Sequence, residues 1–401
     1  MTKFYLTCIF CSLFVGCGGG NEASKLKISE ISFTSDRLGL CVKYWSEKYE
    51  VIYAEDLTSL TCNVSGQSTK DISYFPNLIS LDITNSNLKV IDVSKLTKLE
   101  NLYLAGNELT EITLENNHEL SILVLSDNQL TEIILENTPK LKGLDLRENH
   151  LVEITLDNNP KLTEVFLDYN QLTEITLDRN SELSRLFLYS NKLTEINVDN
   201  NPKLTEILLG DNKLTQISVE NNSELYSLGL SGNELKDITV ENKPVLSDLS
   251  LSSNLLNSIT LDNTPELSTL GLSSNKLTEI TIVNQPKLID LDLRENQLIE
   301  IILDNTPELS TLALSSNQFT EITIVNQPKL RGVNLSNNQL TEINVDNNLE
   351  LEFLDLSDNQ LTEINVDNNL RLNYLDLTLN PLTDNTIYYL DSIDWISGIK
   401  Y

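Results

Sequence analysis

Side chains that commonly carry catalysis are scarce in this sequence of 401 residues, which contains two histidines and five cysteines. His118 and His150 fall at positions of the repeat that do not correspond, and no nucleophile–His–acid set can be built from them. No His-Glu-x-x-His pair, no pair of Cys-x-x-Cys motifs and no glycine-rich phosphate loop is present. We therefore expect a protein that is not an enzyme and that carries no cofactor and no resident metal.

Acidic residues are abundant and regularly spaced. The 59 Asp and Glu outnumber the 28 Lys and Arg, giving a formal charge of -31. This argues against a nucleic-acid partner, since phosphate binding requires a positive field. Two acidic columns recur with the repeat, one from Glu111 to Glu363 and one from Glu115 to Asp367, with a threonine column between them. Such rows could bind Ca²⁺ weakly, but a solvated face that prevents aggregation is the simpler interpretation.

Aromatic and arginine residues concentrate in neighbouring repeats. Phe166 and Phe187 occupy equivalent positions, which places them about one strand spacing, about 4.8 Å, apart. Exposed aromatic rings beside arginine are typical of binding hot spots. The candidate ligand-binding residues are Arg147, Glu164, Phe166, Tyr169, Arg185, Phe187 and Tyr189, extended by Tyr103. A smaller second candidate comprises Phe353, Asp355, Tyr374 and Asp376.

The sequence repeats every 21 residues, and the structural unit formed by this repeat must position the side chains named above. Leu123 and Leu125 alternate with period two, so they point inward from a short strand, and Ile133 and Leu135 do the same on the opposite side. We interpret the recurrent asparagine of each repeat as structural, its amide satisfying backbone groups of neighbouring coils. These positions are Asn107, Asn128, Asn149, Asn170, Asn191, Asn212, Asn233, Asn254, Asn275, Asn296, Asn317, Asn338, Asn359 and Asn380.

The phrase L-x-x-L-x-L-x-x-N-x-L around each asparagine resembles the signature of the leucine-rich repeat family. The second phrase, T-E-I-T-L-D-N-x-P, is similar to the short bacterial class of 21 residues. The resemblance implies a mainly β repeat solenoid with parallel strands on both sides of each coil and short capping helices at each end. We expect about 16 coils over residues 57–392.

Caps are expected at both ends of the array, because exposed, unpaired coil ends would otherwise promote aggregation. The N-terminal cap covers residues 31–56, where Ser35 and Asp36 begin a helix and Val51–Tyr53 would form an edge strand. A C-terminal helix begins near residue 383, and residues 393–401 close the end. Cys41 and Cys62 could form a disulfide that pins the cap to the first coil, or remain two free thiols. Similar caps occur in exported repeat proteins of Gram-negative bacteria.

The first residues are typical of an export signal. A basic residue and a short apolar run precede Gly16-Cys17, which predicts a signal peptide over residues 1–16. The ending resembles a bacterial lipobox, so Cys17 would carry the lipid and residues 17–30 would form a flexible tether. By the same resemblance, Gly18 after the cysteine implies the outer membrane of a Gram-negative bacterium.

We therefore expect a monomeric, non-catalytic recognition module, tethered to the membrane only by lipid. It would bind a protein, or less readily a glycan, on the first-strand face. One alternative is an envelope spacer without a specific ligand, which the near-identical residues 261–288 and 303–330 favour. Another is cation or ice-surface binding along the threonine and acidic columns.

Overall fold

The computed structural model describes residues 25–401 and confirms the predicted repeat solenoid. The predicted signal peptide and Cys17 lie outside the described residues. One side of the solenoid, called here the first side, is a parallel sheet of 17 strands. Strands are numbered in chain order over the whole molecule. Those of the first side are β1 Ser59–Thr61, β2 Ser80–Asp82, β3 Asn101–Tyr103, β4 Ile122–Val124, β5 Gly143–Asp145, β6 Glu164–Phe166, β7 Arg185–Phe187, β8 Glu206–Leu208, β9 Ser227–Gly229, β11 Asp248–Ser250, β13 Thr269–Gly271, β15 Asp290–Asp292, β17 Thr311–Ala313, β18 Gly332–Asn334, β19 Phe353–Asp355, β20 Tyr374–Asp376 and β21 Gly398–Lys400.

Leucine columns fill the interior. The coil around β4 is representative, because Leu120, Leu123, Leu125 and Leu130 are all fully buried. Burying one such side chain is worth about 1.5–3 kcal/mol in transfer terms. A single coil cannot enclose these residues, so the burial comes from stacking against the coils on either side. Stacking keeps each repeat in register, with every strand residue of the first side from β1 to β19 paired to the residue 21 positions further on.

The recurrent asparagines form a first asparagine ladder. Asn149 is representative: its Nδ2 donates to the carbonyls of Leu125 and Leu146, at 2.9 and 3.1 Å. Its Oδ1 accepts the N–H of Leu130 at 2.9 Å. One amide therefore closes its own turn and binds the preceding coil through both its donor and its acceptor.

A second asparagine ladder, which we did not predict from the sequence, lies where each coil turns back toward the first side. Asn159 donates to the carbonyls of Leu135 and Thr138, at 3.1 and 2.9 Å. This ladder is fully buried or nearly so, and its members are Asn117, Asn159, Asn180, Asn201, Asn222, Asn348 and Asn369. In these coils, two carbonyls of the turn are thus bonded to a side chain of the next coil.

Parallel strands on the second side lie between residues 239 and 304, in the stretch where five successive ladder positions hold residues other than asparagine. They form two pairs, β10 Thr239–Glu241 with β12 Thr260–Asp262, and β14 Glu279–Val283 with β16 Glu300–Asp304, followed by a bridge between Thr323 and Asn344. In the remaining coils, the second half forms turns and unpaired segments. The coils with second-side strands differ from the others at the position of the second asparagine ladder. In this stretch the position is occupied by Lys243, Thr264, Gln285, Thr306 and Gln327. The asparagine before each of these residues is left-handed, with φ between 53 and 66°.

The N-terminal cap contains helix α1, Asp36–Lys48, which begins where the Ser35 hydroxyl accepts the N–H of Leu38 at 3.1 Å. Short 3₁₀ helices span Ile28–Glu30, Ala54–Asp56 and Lys70–Tyr74. The edge strand expected at residues 51–53 is reduced to an isolated antiparallel bridge between Lys27 and Tyr53. Cys41 of α1 is joined to Cys62 by a disulfide, with a Cα–Cα distance of 5.9 Å.

The C-terminal cap contains helix α2, Asp384–Asp391. The Thr383 hydroxyl accepts the N–H of Thr386 at its start, at 3.3 Å. The last residues then return to the first side, where β21 pairs in parallel with β20. None of the described helices has the length and apolar character needed to cross a membrane.

We expect the Cys41→Ala/Cys62→Ala variant to lose about 3 kcal/mol of unfolding free energy, because the disulfide closes a loop with a sequence separation of 21 residues. Urea unfolding of the variant and the oxidised wild type, followed by circular dichroism, measures the loss. Equal midpoints and slopes would show that the bond contributes nothing to the cap.

Candidate ligand-binding face

Two phenylalanines form the centre of the candidate face. Phe166 and Phe187 end strands β6 and β7 and are partners in the parallel register. Their ring centroids lie 4.9 Å apart and their planes are tilted by 55°. Both rings are half-buried, because they lean on each other and on the neighbouring side chains of the sheet. They offer a rigid apolar surface in the middle of the first side.

Arg185 lies against both rings. The centre of its guanidinium is 5.2 Å from the Phe166 centroid and 5.0 Å from the Phe187 centroid, within the range of cation–π attraction. Its Nε donates to Glu206 at 3.1 Å, and an Nη donates to Glu164 at 3.3 Å. Two carboxylates on flanking strands thus fix the arginine before any ligand arrives, which reduces the entropy lost on binding.

Arg147 approaches the rings from the other side. Its Nε and Nη2 donate to the two oxygens of Asp145, at 2.9 and 2.6 Å, in a fork geometry. Its guanidinium centre is 5.4 Å from the Phe166 centroid. The phenylalanine pair is therefore flanked by two guanidiniums, each oriented by carboxylates of the same face.

A tyrosine pair borders the face. The rings of Tyr169 and Tyr189 meet edge to face, with centroids 5.4 Å apart. The Tyr189 hydroxyl donates to Asp211, and this hydrogen bond raises the pKa of Tyr189 to about 12. Gly210 makes room for the Tyr189 ring, since a Cβ there would lie 2.9 Å from a ring carbon. Both tyrosine side chains remain substantially exposed and can contact a ligand.

Arg147, Asp168 and Tyr189 occupy the same repeat position in three successive coils, with Asp168 in the middle. It is only 8% exposed, and one carboxylate oxygen accepts the Tyr189 N–H at 2.8 Å. Burial raises the pKa of Asp168 to about 6, although this hydrogen bond and the positive charge of Arg147 oppose the rise. The folded protein therefore binds this proton more tightly than the unfolded chain does.

We expect Asp168→Asn to stabilise the fold at pH 7 by on the order of 2 kcal/mol. Because the pKa of Asp168 is raised in the folded state, protonated Asp168 stabilises the fold. This stabilisation is complete below about pH 4 and is lost as the pH rises through about 6. The variant should lack this pH dependence. The measurement is the difference in unfolding free energy between variant and wild type from pH 4 to 8, and a constant difference contradicts it.

The structure brings together most of the candidate residues predicted from the sequence. Arg147, Glu164, Phe166, Arg185 and Phe187 are in mutual contact, whereas Tyr103 lies three strands away in the row of Phe166. The second candidate is also compact, since the Phe353 and Tyr374 rings stack at 4.7 Å.

Sequence reasoning placed Asp145 at the edge of this face but missed the other residues that orient it, namely Asp168, Glu206, Gly210, Asp211 and Tyr226. The Tyr226 hydroxyl donates to Glu206 at 2.9 Å, so Glu206 is shared between Arg185 and Tyr226. The sequence does contain a signal for this contact, because Glu206 occupies the same repeat position as Arg185, 21 residues further on, and the two residues pair in register. Acidic residues occur throughout the array, however, so this position alone does not single out Glu206.

Other surfaces offer less for recognition. Within residues 25–401, no group of three His, Cys, Asp or Glu side chains is placed to hold a metal ion. A cleft of about 980 Å³ lies on the second side, and its lining includes Ile196, Ile217, Glu195 and Glu220. Lys243, a buried residue at a position of the second asparagine ladder, also lines it.

Comparisons with known proteins agree with this architecture. A family model described as Leucine Rich Repeat matches residues 350–369. The functional domain of InlJ from Listeria monocytogenes, which includes a cysteine ladder, is similar at 25% identity and a TM-score of 0.79, covering 88% of this chain and 81% of that one. A leucine-rich repeat protein of Leptospira interrogans is similar at 24% identity and a TM-score of 0.74, covering 87% and 96%.

More distant likenesses show the fold alone. The Toll chain in the Drosophila Toll–Spatzle complex is similar at 20% identity and a TM-score of 0.62, covering 77% of this chain and 48% of that one. No curated protein matches the chain. The repeat of 21 residues, the parallel first-side sheet and the asparagine ladder, together with these likenesses, show that this chain has the leucine-rich repeat fold.

Proposed function

We propose that this protein is a non-catalytic recognition module that binds a protein ligand on its first side. The binding surface is the aromatic–arginine patch, defined as Arg147, Glu164, Phe166, Tyr169, Arg185, Phe187 and Tyr189. A lipid on Cys17 would tether the module to the cell envelope, in the outer membrane of a Gram-negative bacterium. No cofactor is needed for this function.

The observation that carries the proposal is the Phe166–Phe187 pair with Arg185 held across both rings. Aromatic and arginine side chains dominate binding energy in protein interfaces, especially where they are rigid and partly desolvated. Here the ligand would contact ring faces and guanidinium groups whose positions are already fixed. Leucine-rich repeat folds commonly serve as protein-interaction modules, and the Toll chain was solved in complex with Spatzle.

Affinity capture tests the proposal. The purified full chain is presented to envelope proteins and to host-surface extracts, and captured proteins are identified by mass spectrometry. In parallel, the Phe166→Ala/Arg185→Ala/Phe187→Ala variant is presented to the same extracts. We expect the variant to lose the partner, because a single hot-spot truncation costs about 2 kcal/mol, roughly 30-fold in affinity.

A matched control comes from the same sheet. Ser250, Ser252 and Ser273 lie on the first side several coils away, so a Ser250→Ala/Ser252→Ala/Ser273→Ala variant should bind as the wild type does. Circular dichroism of both variants verifies folding. A partner that a folded aromatic variant retains at full affinity would refute this site.

A structural spacer is the second candidate function. Residues 261–288 and 303–330 are nearly the same sequence, and their first-side residues are small or polar, such as Thr269, Gly271 and Thr311. Coils of this kind extend the array without adding recognition chemistry. If neither extract yields a partner for the wild type, the spacer function is favoured for the whole chain.

A further inference from the structure

The N-terminal cap exposes an apolar and basic helix face. Helix α1 buries Leu38 and Val42 against the solenoid. On its opposite face Leu40 is 69% and Tyr44 is 58% exposed. These two residues are four positions apart, so they lie one above the other on the helix. Arg37 and Lys48, both exposed, share this face, and the four residues are called here the cap face.

Aromatic rings and a lysine continue the surface at the C-terminal end of α1. The rings of Trp45 and Tyr49 stack with centroids 5.3 Å apart. The Lys48 ammonium lies 4.9 to 5.6 Å from the centroids of Tyr44, Trp45 and Tyr49. Amphipathic rings and long basic side chains are the residues that anchor proteins at a lipid–water boundary, with rings among headgroups and ammonium groups at phosphates.

The charge of the cap differs from that of the solenoid. Residues 25–56 contain five Lys or Arg and six Asp or Glu, whereas residues 57–401 contain 22 and 52. An anionic bilayer would therefore repel the solenoid far more strongly than the nearly neutral cap. This difference favours an upright solenoid whose cap is the part nearest to the lipid.

The predicted tether leads into the N-terminal cap. Lys25 is eight positions after Cys17, a distance of at most about 28 Å when extended. Lys25 is already fixed in the cap, with its ammonium 2.9 Å from Glu55 and 3.2 Å from Asp56. A lipid on Cys17 would thus keep Lys25 of the cap within about 28 Å of the bilayer surface.

We propose that the cap face lies against the phospholipid headgroups and holds the solenoid upright, with the C-terminal cap furthest from the membrane. This rests on the proposed lipid tether at Cys17. Leu40 and Tyr44 enter the interface, and Arg37 and Lys48 meet lipid phosphates. Sixteen coils at about 4.8 Å place the C-terminal cap on the order of 75 Å away.

The two tryptophans report on the two ends. The full chain is produced in a bacterium that processes lipoproteins, the modification of Cys17 is determined by mass spectrometry, and the protein is reconstituted in phosphatidylethanolamine–phosphatidylglycerol vesicles. Brominated lipids quench only tryptophans at the membrane. A Trp395→Phe variant isolates Trp45, and a Trp45→Phe variant isolates Trp395. We expect loss of Trp45 emission and no loss of Trp395 emission.

A second pair of variants distinguishes direct contact of the cap face with lipid from mere proximity of the cap to the membrane. In the Trp395→Phe background, Leu40→Glu/Tyr44→Glu should remove the quenching while the protein stays on the vesicles. Leu379→Glu/Tyr388→Glu changes residues that are 78% and 74% exposed at the other end and should leave quenching unchanged. Lipid-modified protein whose Trp45 is unquenched, or quenched regardless of the Glu substitutions, overturns the cap contact but not the tether. An unmodified Cys17 overturns both.

Discussion

Asn170→Ala is expected to cost about 2–4 kcal/mol of unfolding free energy, more than any surface substitution in the same coils. Nδ2 of Asn170 donates to the carbonyls of Leu146 and Leu167, at 2.9 and 3.1 Å. Its Oδ1 accepts the N–H of Leu151 at 3.0 Å. Alanine removes the amide and leaves buried backbone groups of two coils without these partners, and such groups carry the full cost of desolvation.

Neighbouring asparagines supply the controls. Asn159 of the second ladder uses only its donor end, so Asn159→Ala should cost about 1–2 kcal/mol. Asn158 is exposed, and Asn158→Ala should change stability by less than about 0.5 kcal/mol. Urea unfolding followed by circular dichroism gives all three values. Equal effects at residues 158 and 170 would show that the first ladder does not stabilise the stack.

Lys243→Asn is expected to stabilise the protein by about 1–2 kcal/mol at neutral pH. Lys243 is 1% exposed, and its ammonium donates to the carbonyls of Glu241 and Glu220, at 2.9 and 3.5 Å. Burial lowers the pKa of Lys243 below its ordinary 10.5, more than the carboxylates of Glu220 and Glu241 raise it. An asparagine would instead extend the contacts of Asn222, whose Nδ2 donates to Val198 and Asn201 at 3.2 and 2.9 Å.

The pH dependence distinguishes charge from fit at residue 243. Because the pKa of Lys243 is lowered in the folded state, the wild type should gain stability as the pH rises from that lowered value toward 10.5. Lys243→Met removes the charge without supplying an amide, so it should abolish this gain and be less stable than Lys243→Asn. Unfolding free energies of the three proteins at pH 7 and pH 10 provide the comparison. A less stable Lys243→Asn protein would contradict the argument.

The first side followed from the sequence because its signals are repeated and physically simple. Leu123 and Leu125 alternate with period two, and every copy of the pattern adds a strand in the same register. The asparagine that follows each strand is buried beside a turn, where an amide can satisfy both donors and acceptors. Fourteen repeats of one pattern leave little room for another fold.

The second side was predictable only in part. Its alternating Ile133 and Leu135 indicate extended chain, but hydrogen bonding between coils depends on residues such as Asn159, which bond to the carbonyls themselves. The sequences around Thr138 and Thr264 are alike, yet Asn263 is left-handed and Asn137 is not. Local sequence therefore does not decide this conformation, and the neighbouring coils must contribute. From Lys243 to Gln327 the ladder position holds no asparagine, and the paired strands of the second side lie in these coils.

The candidate face was predictable in composition but not in organisation. Equivalent positions in successive repeats place Phe166 beside Phe187 without any structure. The choice of partners for Arg185 is different, because Glu164 and Glu206 on flanking strands are two of many carboxylates in the chain. Likewise the raised pKa of Asp168 depends on its burial beneath neighbouring side chains, which no spacing rule predicts.

Site-specific photocrosslinking tests the recognition function most directly. A photoreactive residue is placed at position 187, in the centre of the aromatic–arginine patch, and in a second protein at position 252, on the same sheet among small residues. Each protein is illuminated in contact with envelope proteins or host-surface extract, and adducts are identified by mass spectrometry. We predict one recurring protein adduct at position 187 and none at position 252. Adducts at position 252 alone, or the same adducts at both positions, would contradict the proposed binding face.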